Sequence, residues 1–300
     1  MIRTLREKVI LPALAAALPW PWGFGLLKKF SASDDLYSDL TETAREGALL
    51  VSSIGDNRQW KQRYRLTRLV DHCDMFLVQS RSERWFRKHV DIEGAWPASG
   101  PFIAMTFHWG AGLWALDHLR SLGHSARFLS ARLDHAQFQG DWVAYQYARC
   151  RNRTVESAGG APVIYIGGAK QTISLVLGDG HVVVALYDVP ASQTHSTLLT
   201  RVCDRLVELP AGLADLAVAT GVPVVPFSMG LDYQSGRRKL HIEAPFLPPS
   251  AQDFADRLAA SLTRLIRQDS AAWHSSGYAP EFFAADAAAS AAEQNGSRRA

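Results

Sequence analysis

The sequence predicts an α/β fold: a single-domain αβα sandwich on a central mixed, mainly parallel sheet, with an N-terminal membrane-associated helical segment. Two observations carry the sandwich. From residue 100 onward, short runs rich in Val, Ile, Leu and Phe recur, and several are apolar without interruption, the pattern of strands covered by helices on both faces. Between them lie stretches long enough for crossover helices, closed by Gly123 and Gly221 where a helix C-cap favours glycine.

The elements follow in order. Residues 9–27, VILPALAAALPWPWGFGLL, are nineteen positions without a charge, flanked by Arg3, Arg6 and Lys8 before and by Lys28 and Lys29 after. Pro12, Pro19 and Pro21 interrupt the hydrogen-bond ladder that a straight membrane span demands. With Trp20 and Trp22 beside the cations, the segment reads as interfacial and monotopic, and residues 1–30 are set apart as a membrane-associated unit. Two other readings are a cleaved signal peptide and an ordinary apolar helix covering the domain. Residues 31–56 are mixed helix and loop. Residues 57–93 are cation-rich, as a solvated helical face or as a surface for anionic headgroups or an acidic carrier protein.

Strands are predicted at 102–107, 126–130, 162–166, 181–187, 205–209, 222–227 and 239–244, and helices at 111–122, 137–150, 168–177 and 210–220. A further amphipathic helix at 252–268 aligns Phe254, Leu258, Leu262, Leu265 and Ile266 on one face. The α/β domain therefore covers 31–283, and the small, polar stretch 284–300 reads as a disordered tail.

Composition narrows the function classes. Of 300 residues, 47% are hydrophobic, and 32 Lys and Arg against 29 Asp and Glu leave a net charge of +3. This excludes a disordered or low-complexity chain and a polytopic membrane protein, and argues against a nucleic-acid binder. Cys73, Cys150 and Cys203 stand far apart with no metal-ligand spacing, which fits a reducing compartment without disulfides or zinc.

His108 stands out because it closes the first strand of the α/β region and is followed at once by WGAG and a helix. The carboxyl end of a strand faces the ligand crevice of an open α/β sheet, where an imidazole reaches substrate. Gly110 and Gly112 permit close backbone approach, and amides near Gly110 are candidate oxyanion donors. The same GAGLWA stretch also matches a dinucleotide fingerprint, with Arg132 at the end of the next strand as a cation for a phosphorylated ribose; an NADP-dependent oxidoreductase is therefore a rival reading. No GxSxG elbow, Walker loop, HExxH or CxxC occurs.

The order of these features resembles the lysophospholipid acyltransferase superfamily, specifically its lipid A lauroyl/myristoyl acyltransferase branch, from the N-terminal segment to about residue 283. FHWGAGLW resembles the family's block of a catalytic histidine, four residues and an acid, with His108 as the histidine. SARLD at 130–134 resembles its second block, LYDVPAS at 186–192 falls where an Asp-Gln pair follows a strand, and VELPAGLADLAVATGVPVVPF is similar to its strand, helix and strand. There are two departures. Leu113 occupies the position of the motif acid, and DVP keeps Asp188 but loses the amide.

The resemblance implies acyl transfer from a thioester, on acyl carrier protein or coenzyme A, to a hydroxyl or amine of a lipid or glycolipid acceptor at a membrane surface. His108 is then the general base, and no metal or cofactor is required. Asp117, one turn beyond Leu113 on the same helix, is the expected partner acid, with Asp134 and Asp188 as replacements. Trp109, Gly110, Arg132, Asp134, Arg149 and Asp188 are the expected substrate-binding residues, and Arg151 and Arg153 join Arg132 and Arg149 as candidates for phosphate or carrier-protein contact. The cytoplasmic face of a bacterial inner membrane is the implied location, and a non-catalytic lipid-binding paralogue is the alternative. The lost acid suggests an acceptor other than lipid A, such as another glycolipid, an aminolipid or a pigment-type product.

Overall fold

A computed structural model describes residues 2–287 of the chain. The N-terminal third is helical. α1 (Ile2–Leu5) passes through a wider π turn (Arg6–Ile10) into α2 (Leu11–Ala17), followed by α3 (Trp20–Ser31), α4 (Ser38–Leu49), α5 (Asn57–Ser80) and α6 (Glu83–His89). The prolines explain the breaks. Pro21 lies in the first turn of α3, where a missing N–H costs nothing; Pro12 follows directly on the π turn, where the Glu7 carbonyl accepts from the Tyr37 hydroxyl at 2.9 Å; and Leu18 and Pro19 turn extended between the two helices.

The α/β region continues through β1 (Val90–Glu93), β2 (Phe102–Thr106), α7 (Leu113–Ser121), β3 (Ala126–Ser130), α8 (Trp142–Gly159), β4 (Ile164–Tyr165), α9 (Lys170–Gly178), β5 (Val182–Leu186), β6 (Thr197–Val202), β7 (Arg205–Pro210), α10 (Gly212–Thr220), β8 (Val224–Leu231), β9 (Arg238–Ile242), α11 (Ala251–Asp269) and α12 (Ala279–Phe282). Seven strands form one sheet in the order β1-β9-β8-β2-β5-β3-β4. Every neighbouring pair in it is parallel except β8 and β9. β6 and β7 form a separate antiparallel hairpin.

Strand alternation divides the core into two layers. Phe102, Ala104, Val182 and Val184 face α2, α3, α5, α7 and α8, whereas Ile103, Met105, Val183 and Ala185 face α9, α10 and α11. Burying each large apolar side chain contributes about 1.5–3 kcal/mol, so continuous apolarity on the central strands is what covering both faces requires. The structure also departs from the sequence expectation. β1 arises from the stretch read as a cation-rich helical face, where pairing with β9 supplies what its mixed sequence lacks, and β6, a stretch with no predicted element, forms by pairing with β7. β8 runs on to Leu231 because β9 pairs with its second half, and β4 keeps only the two residues that pair with β3.

The N-terminal segment contributes to this core: Leu11, Ala15, Ala16, Trp20, Phe24 and Leu27 are buried in the same cluster as Phe102 and Ala104. Arg81 of the cation-rich stretch turns inward and donates to the carbonyls of Ala16 and Leu18, closing the end of α2. The fully buried Arg238 lies between Trp20 and Trp114, 4.2 Å and 4.9 Å from their ring centroids, and pairs with buried Asp74, Nε to Oδ2 at 3.2 Å. Other apolar residues of the segment face outward, with Ile2 83%, Leu14 54% and Trp22 73% exposed. Among the described residues, no helix is long and apolar enough to cross a membrane. At the other end, residues 284–287 are helical and do not belong to a tail, because Asp286 accepts from Arg205 and from the amide of Leu206, each at 3.0 Å. Residues 288–300 of the expected tail lie outside the described residues.

Candidate functional site

Parallel register builds the centre of the site. Thr106 of β2 stands opposite Leu186 of β5, and the amide of Tyr187 donates to the Thr106 carbonyl at 2.9 Å. Two residues beyond each strand end, His108 and Asp188 therefore emerge side by side at the carboxyl edge of the sheet. Asp188 Oδ1 accepts from the His108 backbone N–H at 2.8 Å and lies 3.0 Å from His108 Nδ1. A carboxylate only accepts, so Nδ1 carries the hydrogen and Nε2 is left as the basic atom.

The C-terminal segment closes over this pair. Trp273 Nε1 donates to Asp188 Oδ2 at 2.9 Å, and the His274 amide donates to the His108 carbonyl at 2.7 Å. His274 Nε2 lies 2.6 Å from the Gly110 carbonyl, while Arg68 Nη1 approaches His274 Nδ1 at 3.3 Å. A guanidinium has no acceptor and a carbonyl no donor, so His274 is the neutral Nε2–H tautomer. Burial, reinforced by the Arg68 charge, pushes its pKa down to about 4.

Electrostatics divide the His108–Asp188 pair in the useful direction. Burial opposes a charge on His108, but the negative charge and hydrogen bond of Asp188 outweigh it and raise the imidazole pKa. Burial likewise opposes the Asp188 carboxylate, yet His108 and the Trp273 indole hold its pKa below the usual range. Asp188 has no exposed side-chain surface, whereas His108 keeps 41% of its own. The acid is sealed and the base is accessible. His108 borders a cavity of about 660 Å³ whose walls include Leu129, Ile166, Ile173, Leu186, Leu213 and Leu216, with Lys170, Thr194 and His195 among the polar lining groups. This is within the size range of small-molecule sites, roughly 300–1,000 Å³.

Several expected residues lie elsewhere. Asp117 pairs with Arg120 at 2.7 Å and lines a separate hollow with Trp114 and His118, so it is not the acid that holds His108. Leu113, in the place of the motif acid, is buried in the core. Asp134 caps the short 3-10 helix His135–Phe138 through the amide of Ala136. Trp109 is buried in the same layer as the cavity walls, bridged to Trp273, but does not line the cavity. Gly110 is not a free oxyanion donor, since its N–H donates to the Ala272 carbonyl at 2.9 Å, and the Ala111 amide donates to Met229 at 3.1 Å. Arg132 and Arg149 line a different hollow beside α8.

Two further observations bear on the chemistry. Gly110 adopts φ +61°, and a Cβ there would collide with the Met229 carbonyl, so packing against β8 accounts for this glycine without a pyrophosphate. β5 also separates β2 from β3, which places Asp188, and not Arg132, at the end of the strand beside His108. Among the described residues, no group of three or more His, Cys, Asp or Glu is arranged to hold a metal.

Sequence reasoning missed Trp273, His274 and Arg68. None has a local signature: Trp273 lies 85 residues from Asp188, and Arg68 lies 206 from His274. No protein-family model matches the chain, and a search of curated proteins finds no match.

Proposed function

We propose that the chain transfers an acyl group from a thioester donor, on acyl carrier protein or coenzyme A, to a hydroxyl or amine of a lipid or glycolipid acceptor. The observation that carries this reading is a sealed Asp188 paired with an accessible His108 at the mouth of a cavity with apolar walls. His108 Nε2 takes the proton of the acceptor as its oxygen or nitrogen attacks the thioester carbonyl carbon. Asp188 stabilises the imidazolium that forms, the C–S bond breaks, and the departing thiolate receives the proton from His108. The amides of Gly110 and Ala111 are engaged elsewhere and do not serve the charge developing on the carbonyl oxygen. The apolar walls hold the acyl chain.

The outward apolar residues Ile2, Leu14 and Trp22, with Arg3, Lys28 and Lys29 on the same segment, support a monotopic contact with an anionic membrane surface. For the resemblance to the lipid A acyltransferase branch, this corresponds to the cytoplasmic face of a bacterial inner membrane.

The test is thioester consumption by wild type and His108→Ala across a panel of acceptors, with mass spectrometry of the lipids formed. Acyl transfer is expected for the wild type only. Equal rates for the two proteins across the panel sink the enzymatic reading in favour of a lipid-binding one.

A further inference from the structure

The face of the sheet edge beside α8 carries a second hollow, which the acyl-transfer step does not use. Arg132 follows β3, and Arg149 and Arg153 stand one helical turn apart on α8; with Tyr145, Asn152 and Tyr165 they line a concavity of about 450 Å³. Among the described residues, none of the three guanidiniums has a carboxylate within ion-pair distance, whereas their neighbour Arg151 is held by Asp71 at 2.9 Å. Glu156, the acid of the lining, has its Oε1 on the Val163 amide at 3.2 Å. Aromatic rings flank the cations: Arg132 lies 5.4 Å from the Tyr165 ring centroid and Arg149 lies 5.7 Å from that of Tyr145. A ring face orients a guanidinium without cancelling its charge. Like charges at i and i+4 destabilise a helix, and no carboxylate in the hollow pairs with Arg149 or Arg153 to offset that cost. An unneutralised cluster of planar forks in a concavity suits an anion with several oxygens, above all a phosphate.

Its position relates it to the site of His108. Alternation along β3 and β4 sends Leu129 and Ile166 to the cavity beside His108 and Tyr165 to the arginine hollow, and consecutive Ala131 and Arg132 line one each. The two hollows lie on opposite sides of the same strand ends, so a long flexible arm crossing that edge would reach both. We infer that Arg132, Arg149 and Arg153 hold the phosphate at the far end of a pantetheine-type arm whose thioester sulfur lies at His108. This rests on the acyl-transfer reading. The phosphate is common to a carrier-linked phosphodiester and to a nucleotide-linked donor.

Calorimetric titration of the full chain with 4′-phosphopantetheine, adenosine 3′,5′-bisphosphate and unphosphorylated pantetheine tests it. Phosphopantetheine is expected to bind about tenfold or more tightly than pantetheine, and Arg149→Gln with Arg153→Gln to remove that advantage. Tighter binding of the bisphosphate than of phosphopantetheine assigns the phosphate to a nucleotide-linked donor, and equal or weaker binding to a carrier. In acyl transfer, the double variant is expected to raise the donor KM with kcat unchanged. Equal binding of pantetheine and phosphopantetheine, or unchanged binding in the arginine variants, overturns the inference. His108→Ala separates the two claims. It is expected to keep arginine-dependent phosphate binding while losing transfer. Transfer that depends on His108 but not on these arginines overturns the phosphate site alone, and arginine-dependent binding with no transfer by the wild type overturns the acyl-transfer reading alone.

Discussion

Asp188 receives two hydrogen bonds from one residue, His108, on a single oxygen: the backbone N–H at 2.8 Å and the ring Nδ1–H at 3.0 Å. The carboxylate thus fixes the imidazole to its own main chain and presents Nε2 outward. Asp188→Asn keeps the shape and removes the charge. Burial then acts on His108 without its counterion, and the imidazole pKa is expected to fall below the ordinary value of 6.5. The rate of acyl transfer should drop by about 10²–10⁴, the range of a general base. In the wild type, the rate should rise with pH and level off only above 6.5, because the raised pKa keeps the base protonated below it. A pH–rate profile of thioester consumption checks both; an inflection at the same pH in both proteins contradicts the pairing.

The pair also has a stability window. His108 has a raised folded pKa, so its contribution is complete below 6.5 and is lost as pH climbs through the raised value. Asp188 has a depressed one, so its contribution is complete above 3.8 and is lost as pH falls through the lowered value. Wild type should therefore gain most over Asp188→Asn between those two limits, measured as the difference in urea midpoint across pH.

Trp273→Phe removes the donor to the second oxygen of Asp188. A carboxylate with one fewer hydrogen bond attracts the imidazolium more strongly, so the pKa of His108 should rise further. The ring resonances of His108, followed by NMR through a pH titration, report this directly. A purely packing role for the indole predicts lower stability with no change in that titration.

His274→Gln replaces a group that stays neutral inside the fold. Its folded pKa is near 4 against an ordinary 6.5, so the unfolded chain binds more protons between those values and stability climbs with pH across them. From pH 4 to pH 7 the wild type gains on the order of 3 kcal/mol from this residue, and the glutamine variant gains none. Equilibrium urea unfolding at the two pH values reads the difference. Parallel pH dependence in the two proteins rules this origin out.

Gly110→Ala and Gly112→Ala should part company. At Gly110 the positive φ and the Met229 carbonyl leave no room for a methyl, and the substitution should cost on the order of 3 kcal/mol or prevent folding. Gly112 has φ −73° and open space where a Cβ would stand, so alanine there should change stability by less than about 1 kcal/mol. A loop that cradles a dinucleotide through both glycines would lose NADPH binding in either variant. Thermal unfolding with and without NADPH distinguishes the two cases.

The central strands are legible in the sequence because burial on both faces leaves an uninterrupted apolar run, as in FIAMT and VVVAL. His108 is legible because a strand end next to glycines and a helix marks the ligand edge of a sheet. Its partner is less so. Asp117 lies close in sequence on a predicted helix, whereas Asp188 becomes adjacent only through the parallel register of strands whose ends are 80 residues apart. Trp273 and His274 are harder still, since they reach the site through loop hydrogen bonds that no periodicity encodes. The nineteen uncharged N-terminal residues suit a membrane face and a core face equally in composition. Only the packing of Trp20, Phe24 and Leu27 divides them.

Arg238 gives that N-terminal segment a mechanical character. Its guanidinium is enclosed by Trp20 on one side, Trp114 on the other and Asp74 at its tip. Lifting α3 away would open a buried charge to one side and break a ring stack that ties the first helices to the helix following His108. The segment is therefore a rigid flank of the α/β body and not a leash. On the acyl-transfer proposal, any surface that Trp22 touches would stand at a constant height and tilt relative to His108, and an acceptor would have to rise out of that surface to reach the imidazole, because the segment has no slack with which to bend down to it.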